Sequence, residues 1–186
     1  HKKNTECLIY AGNKNYPGAA VLSSLAANKT GSGYINLFTE FNVEKIQNKL
    51  PDIIVKQPSG IKKIWNDNKI RHVLIGPGDT CLEDFVQLSD MFSKPYNLER
   101  TKFVLDAGVF KDYGAYSEPQ VISFEDRFPN NSIMTPHLGE LMRFFGHSFH
   151  VEEELPNLDL FNAIQNALSD RIMIVKSFNT FIITKE

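Results

Sequence analysis

What most constrains the fold of this chain is a rhythm. Short apolar runs rich in β-branched and aromatic residues recur along its 186 residues, separated by stretches with helical spacing. The runs are Leu8-Ile9-Tyr10, residues 34–38, Ile53-Ile54-Val55, Val73-Leu74-Ile75 and Phe103-Val104-Leu105, followed by residues 121–124, Ile133-Met134, residues 172–175 and Phe181-Ile182-Ile183. Strands so continuously hydrophobic belong to a sheet covered on both faces, which points to parallel α/β layering. Helical spacing occupies residues 17–29, 43–50, 82–92, 138–145 and 158–168. The alternation predicts a doubly wound α/β fold in one domain over residues 1–186. Only residues 177–180 separate the last two runs, so these read as an antiparallel hairpin added to the parallel sheet, with Asn179 in its turn. Residues 93–101 and the Glu152-Glu153-Glu154 run read as surface loops.

Charge and composition narrow the partners. A net charge of −2 with scattered lysines leaves no electrostatic footprint for nucleic acid. No apolar run approaches the ~20 residues that span a bilayer. The opening His1-Lys2-Lys3-Asn4 has no apolar segment behind it, so no signal peptide is expected, and a start at His implies residues lost upstream. Cys7 and Cys81 lie in or beside apolar stretches and read as reduced core thiols of a cytoplasmic protein.

In open α/β sheets, ligands bind beyond the carboxyl ends of the strands. Four such ends carry residues that a plain connector does not need. In Ala11-Gly12-Asn13-Lys14-Asn15-Tyr16-Pro17-Gly18-Ala19-Ala20, Pro17 suits a first helical turn, and Gly18, Ala19 and Ala20 leave the helix start bare for a ligand. A tight loop before a small-residue core helix explains the same residues. Ile75-Gly76-Pro77-Gly78-Asp79-Thr80 lets the backbone turn sharply after a strand, though Cys81 stands where a dinucleotide fingerprint needs its third glycine. Asp106 in Leu105-Asp106-Ala107-Gly108 suits either a metal-bound water or a turn cap. The most specific end is Met134-Thr135-Pro136-His137-Leu138-Gly139-Glu140-Leu141. There Thr135 is expected to cap a helix whose first residue is Pro136, turning His137 toward the crevice, where it contributes little packing. After the next strand, Lys176-Ser177-Phe178-Asn179-Thr180 reads either as a phosphate or nucleotide contact or as a hairpin turn with a solvated lysine. His147 and His150, with glutamates nearby, read as a surface loop rather than a metal site, and Trp65 as core.

Taken in order, these pieces resemble the ADP/ATP-dependent NAD(P)H-hydrate dehydratase family of the ribokinase-like superfamily. The resemblance is carried by His1-Lys2, Tyr16-Pro17-Gly18-Ala19-Ala20, Lys29-Thr30-Gly31-Ser32-Gly33, Ile75-Gly76-Pro77-Gly78, Leu105-Asp106-Ala107, Thr135-Pro136-His137-Leu138-Gly139-Glu140, and Lys176 with Thr180. It implies a three-layer α/β/α sandwich around a mostly parallel sheet. It also implies a lyase that repairs NADH or NADPH whose nicotinamide ring has taken up water. The ring hydroxyl is phosphorylated from ADP or ATP, with Mg²⁺, and the phosphate is then eliminated. By the same resemblance, Gly18, Ala19, Ala20, Gly76, Gly78 and His137 contact the hydrated dinucleotide, and Lys176, Ser177, Phe178, Asn179 and Thr180 contact the adenine nucleotide. Homo-oligomers are expected. Departures are Lys3, Asp79, Thr80 and Ser177 at positions where the family has Gly-containing patterns. The family's Gly-x-Gly-Asp segment, source of its anion hole and general base, has no counterpart up to Glu186. The expectation is therefore a domain cut short at its carboxyl end or a degraded, inactive relative, with no catalytic residue assigned. A ribokinase-like small-molecule kinase and a non-catalytic nucleotide-binding relative are the alternatives.

Overall fold

A computed structural model describes residues 6–66, 69–78, 100–110, 128–149 and 158–185. The strands are β1 (Glu6–Tyr10), β2 (Tyr34–Phe38), β3 (Ile54–Lys56), β4 (Ile70–Ile75), β5 (Lys102–Asp106), β6 (Ser132–Thr135), β7 (Ile172–Val175) and β8 (Phe181–Ile183). The helices are α1 (Pro17–Lys29), α2 (Val43–Gln47), α3 (Ile61–Asn66), α4 (Leu138–Phe149) and α5 (Leu158–Ala167). Together the strands form one sheet in the order β3-β2-β1-β4-β5-β6-β7-β8. Neighbours are parallel except for β7 and β8, which pair antiparallel as the expected hairpin. This is the expected mostly parallel α/β sheet, with helices on both faces. The strand expected at 121–124, the helix at 82–92, the acidic run at 152–154, Cys81 and the opening residues lie outside the described residues.

Alternation along each strand divides the core in two. Leu8, Tyr10, Val73, Ile75, Phe103, Leu105, Met134, Met173 and Val175 face α3, α4 and α5. Cys7, Ile9, Ile35 and Leu37 point the other way, beneath α1 and α2. The three-residue strand β3 follows a helix that stops early. The side chain of Asn42 caps α2 by accepting from Lys45 N at 2.9 Å. At its other end, Gln47 Nε2 donates to the carbonyls of Leu50 (2.9 Å) and Ile53 (2.8 Å), and Pro51 turns the preceding residue away from helix. Helix α2 therefore ends at Gln47 and not at residue 50. Helix α3, not anticipated from sequence, places Ile61, Ile64 and Trp65 at helical spacing into the core, with the Trp65 ring 6.2 Å from that of Phe103.

The segment Lys29-Thr30-Gly31-Ser32-Gly33 is a helix stop. Gly31 N donates to Asn28 O and Ser32 N to Ala27 O, both at 3.1 Å, with Gly31 left-handed at φ 86°. These are the paired bonds of a Schellman C-cap. A pocket lined by this turn, Cys7 and His72 therefore opens at the amino ends of β1 and β4, away from the motif-bearing ends. Burial pushes the Cys7 thiol up to about 11, so it stays protonated and chemically quiet near neutral pH.

Candidate functional site at the carboxyl edge of the sheet

Every motif-bearing segment among the described residues, apart from the Lys29–Gly33 stop, leaves the sheet at the carboxyl edge of its parallel strands. The first half of this edge is backbone laid on backbone. Gly12 N donates to Pro77 O at 2.8 Å, Gly76 N to Tyr10 O at 3.1 Å, and Gly108 N to Gly76 O at 3.2 Å. Gly76 (φ 114°) and Gly78 (φ 77°) are both left-handed. A methyl on Gly76 would lie 1.7 Å from Asp106 O, and one on Gly78 would lie 2.6 Å from Ala19 Cβ. Glycine at these positions lets the loop after β4 lie against both the start of α1 and the end of β5. Gly18 is exposed at that start with open space around it, and Ala19 is half-buried. Ala20 is fully buried beneath Gly12, where it packs in the core under α1.

The second half is held by side chains. Asp106 ends β5, and its Oδ1 accepts from Thr135 Oγ1 at 2.7 Å and from Lys176 Nζ at 2.5 Å. Thr135 also reaches Leu105 O at 3.3 Å. Asp106 therefore neither caps the turn at residues 107–110 nor stands alone, and Lys176 is paired rather than merely solvated. The 2.5 Å pair joins β5 to the end of β7. The ladder between β6 and β7 continues past both strands, with Lys176 N donating to Pro136 O at 2.8 Å and Leu138 N to Lys176 O at 3.1 Å. This bonding keeps Pro136 extended, so the helix begins at Leu138 and Thr135 is not its cap.

His137 is the cap. Its Nδ1 accepts from Glu140 N at 3.1 Å, while Glu140 Oε2 accepts from His137 N at 2.8 Å. These reciprocal bonds form a capping box with imidazole in the place usually taken by a hydroxyl. An accepting Nδ1 carries no proton, so the neutral ring holds its hydrogen on Nε2, 3.3 Å from Glu140 Oε1. A methyl on Gly139 would lie 3.0 Å from His137 Cε1, which explains why glycine suits that position. The ring remains 56% exposed and Glu140 is buried. The spacing Thr-Pro-His-x-Gly-Glu is thus a local folding unit that also presents an imidazole at the edge. Sequence reasoning missed Glu140 and the cap, although the Glu three residues after His137 was the visible signal.

Lys176 is followed by Ser177, Phe178, Asn179 and Thr180, all exposed in the β7–β8 turn, with Phe178 entirely so. The predicted contacts therefore share one edge. Gly76 and His137 follow β4 and β6, two strand spacings apart, or roughly 10 Å across the sheet. Among the described residues no group of three His, Cys, Asp or Glu is placed to hold a metal ion. The side chains of His147 and His150 lie outside the described residues.

The family model for NAD(P)H-hydrate dehydratase matches residues 7–186. An ADP-dependent (S)-NAD(P)H-hydrate dehydratase of Lactococcus lactis is 29% identical over 143 residues, covering 75% of this chain and 48% of its own length. A ribokinase-like superfamily protein from Enterococcus faecalis superposes with a TM-score of 0.71 at 21% identity, covering 97% of this chain and 60% of its own. The Bacillus subtilis ADP/ATP-dependent NAD(P)H-hydrate dehydratase, co-crystallised with ATP/Mg²⁺, superposes with a TM-score of 0.65 at 24% identity, covering 97% of this chain and 61% of its own. The chain thus spans about half the length of the Lactococcus relative and about three fifths of the two solved structures.

Proposed function

This chain belongs to the NAD(P)H-hydrate dehydratase family, and from that membership we propose that its carboxyl edge binds hydrated NADH or NADPH beside an adenine nucleotide for repair of the reduced cofactor. The observation that carries the proposal is one run of contacts along one edge, from Gly12 and Gly76 through Asp106 and Thr135 to Lys176. In this reading the backbone at Gly18, Ala19, Gly76 and Gly78 meets the hydrated dinucleotide. Ala20 supports the helix start from below. His137 offers the exposed edge of a ring whose orientation its cap fixes. Lys176, aimed by Asp106, meets nucleotide phosphate with its remaining N–H donors, and the residues Ser177 to Thr180 border the nucleotide.

Phosphoryl transfer is governed by positioning and by compensation of charge on the transferring group. Lys176 supplies the charge, and Asp106 with Thr135 supplies the positioning. Asp106 is a poor candidate for the base that takes the ring hydroxyl proton, because its Oδ1 already accepts from two donors. The resemblance instead assigns that proton to the Asp of a Gly-x-Gly-Asp segment, so no residue described here is given the role. The donors at the edge do not fit a resident magnesium site. The Asp106 carboxylate is engaged by an ammonium, and no metal-holding group of three surrounds it among the described residues. In this reading magnesium arrives with ADP or ATP rather than residing at the edge, and homo-oligomer formation and a cytoplasmic location are further parts of the proposal.

Calorimetry tests the binding. Lys176→Ala should weaken ADP or ATP about tenfold, the loss of roughly one charge-assisted hydrogen bond. His137→Ala should weaken hydrated NADH while leaving nucleotide affinity unchanged. Identical affinities in parent and variants would remove the edge from consideration.

A further inference from the structure

Glu40 lies on the carboxyl edge of the sheet, at the end away from Lys176. It follows β2 by two residues, beside the turn that leaves β1. Its backbone N–H donates to Gly12 O at 3.2 Å, and Thr39 Oγ1 donates to the same carbonyl at 2.7 Å. Phe41 N donates in turn to Thr39 Oγ1 at 3.2 Å. The side chain is tied as firmly as the backbone. Tyr10, fully buried, donates its hydroxyl to Glu40 Oε1 at 2.8 Å. A tyrosine has one O–H to give, and the core aims this one outward at an exposed carboxylate. A surface glutamate ordinarily moves among many rotamers, whereas this one is held at the rim. Satisfying Tyr10 requires an acceptor but not a charge, so packing alone does not account for an acid here.

The layout of the edge gives that charge a ligand group to meet. Strand order reverses between β1 and β4, and in open α/β sheets a dinucleotide lies across the crevice at such a reversal. Phosphoryl transfer puts the reacting nicotinamide ring beside the nucleotide phosphate at Lys176, on the side where His137 also stands. The rest of the dinucleotide then runs the other way, over Gly78, Gly76 and the start of α1. That start has no side-chain cap and presents backbone N–H groups to the pyrophosphate. Next in the same direction comes β2. From β6 to β2 is four strand spacings, roughly 19 Å, a span that an extended dinucleotide covers. The group that arrives at Glu40 is the ribose of the adenosine half.

We propose, on the reading of the edge given above, that Glu40 meets this ribose and makes hydrated NADH, rather than hydrated NADPH, the preferred dinucleotide. A ribose with both hydroxyls offers two donors to a carboxylate. A 2′-phosphate removes one of those donors and brings more negative charge against Glu40, so the same side chain attracts one substrate and repels the other. Tyr10 fixes the direction in which the carboxylate points and thereby keeps it from swinging away from either. The cation that a 2′-phosphate would need is Lys14, exposed in the loop after β1.

Calorimetry on the 186-residue chain with each hydrated dinucleotide is the test. Hydrated NADH should bind about tenfold more tightly than hydrated NADPH at low salt, as one charge-assisted hydrogen bond supplies. Added salt should narrow that preference by screening the repulsion. Glu40→Gln keeps an acceptor for Tyr10, so it should melt with the parent, yet its preference should largely vanish as hydrated NADPH binds more tightly. Tyr10→Phe should weaken hydrated NADH without strengthening hydrated NADPH. His137→Ala should weaken both and leave their ratio unchanged. Equal affinities in the parent, or a preference that Glu40→Gln leaves intact, would overturn the proposal while the edge stays the dinucleotide site. A parent that prefers hydrated NADPH, and loses that preference in Lys14→Ala, would overturn it in the same way. Binding of neither dinucleotide by the parent would remove the site itself, and the role of Glu40 with it.

Discussion

Between β1 and β5 the carboxyl edge is closed by backbone packed on backbone, whereas between β5 and β7 it is closed by side chains reaching for one another. The first closure depends on the absence of atoms at Gly12, Gly76 and Gly78. The second depends on charge and hydrogen bonding among Asp106, Thr135, His137, Glu140 and Lys176. The difference teaches where such a site can be tuned. Steric closure tolerates almost nothing, because a carbonyl oxygen cannot yield to a methyl group. Polar closure is graded, since each bond contributes about 1 kcal/mol and can be exchanged for another. A recognition edge with one rigid half and one adjustable half can change its ligand preference at the second without refolding the first.

The largest effect should come from breaking the rigid half. Gly76→Ala places a methyl against the Asp106 carbonyl in a left-handed backbone, and it should cost more than about 4 kcal/mol, through overpacking and strain together. A chain of this size then loses roughly 8 °C or more in melting temperature, readable by circular dichroism. If Gly76→Ala melted like the parent, the steric account of that half would fail. Next comes Asp106→Ala, which removes the shared acceptor of Thr135 and Lys176 while leaving a half-exposed ammonium to solvent. The expected loss is about 1–2 kcal/mol, discounted for that exposure. Asp106→Asn should recover part of it by keeping an oxygen for Thr135. A loss as large as that of Gly76→Ala would erase the distinction between the halves.

The smallest effect sharpens the comparison most. With its capping box, His137→Ala should cost about 1 kcal/mol rather than the near-neutral change expected of a ring that merely reaches into a crevice. Urea unfolding can resolve this, and His137→Asn, a good cap of similar reach, should restore most of the stability without restoring dinucleotide affinity. Recovery of both properties in the Asn variant would assign His137 a purely structural role.

The sequence made much of this legible, for reasons that differ by element. Strands β2 and β7 and helix α1 stand where their patterns placed them, because long apolar runs and a Pro-led helix start leave few alternatives. The hairpin of β7 and β8 was visible from the short polar interval between two strand-like runs. Helix α3 was not, because six residues carry too little periodicity to compete with loop signals such as Pro58 and Gly60. At the site, local propensity misled. Thr135 is the better cap by residue type, but Asp106 from another strand claims its hydroxyl, and Lys176 claims the carbonyl of Pro136. Both rivals are distant in sequence, which no local rule can see. The pairing of Asp106 with Lys176, 70 residues apart, was hidden for the same reason.

The strand order carries a consequence for synthesis. Strand β1 lies between β2 and β4, so one of its neighbours leaves the ribosome soon after it while the other follows some sixty residues later. At translation speeds of about 5–20 residues per second, that interval lasts roughly 3–12 s. Throughout it, one flank of an almost wholly apolar strand has no partner from its own nascent chain, and open strand flanks are templates for wrong pairing. Slowing translation between codons 11 and 69 should therefore lower the soluble yield more than the same delay placed after codon 75.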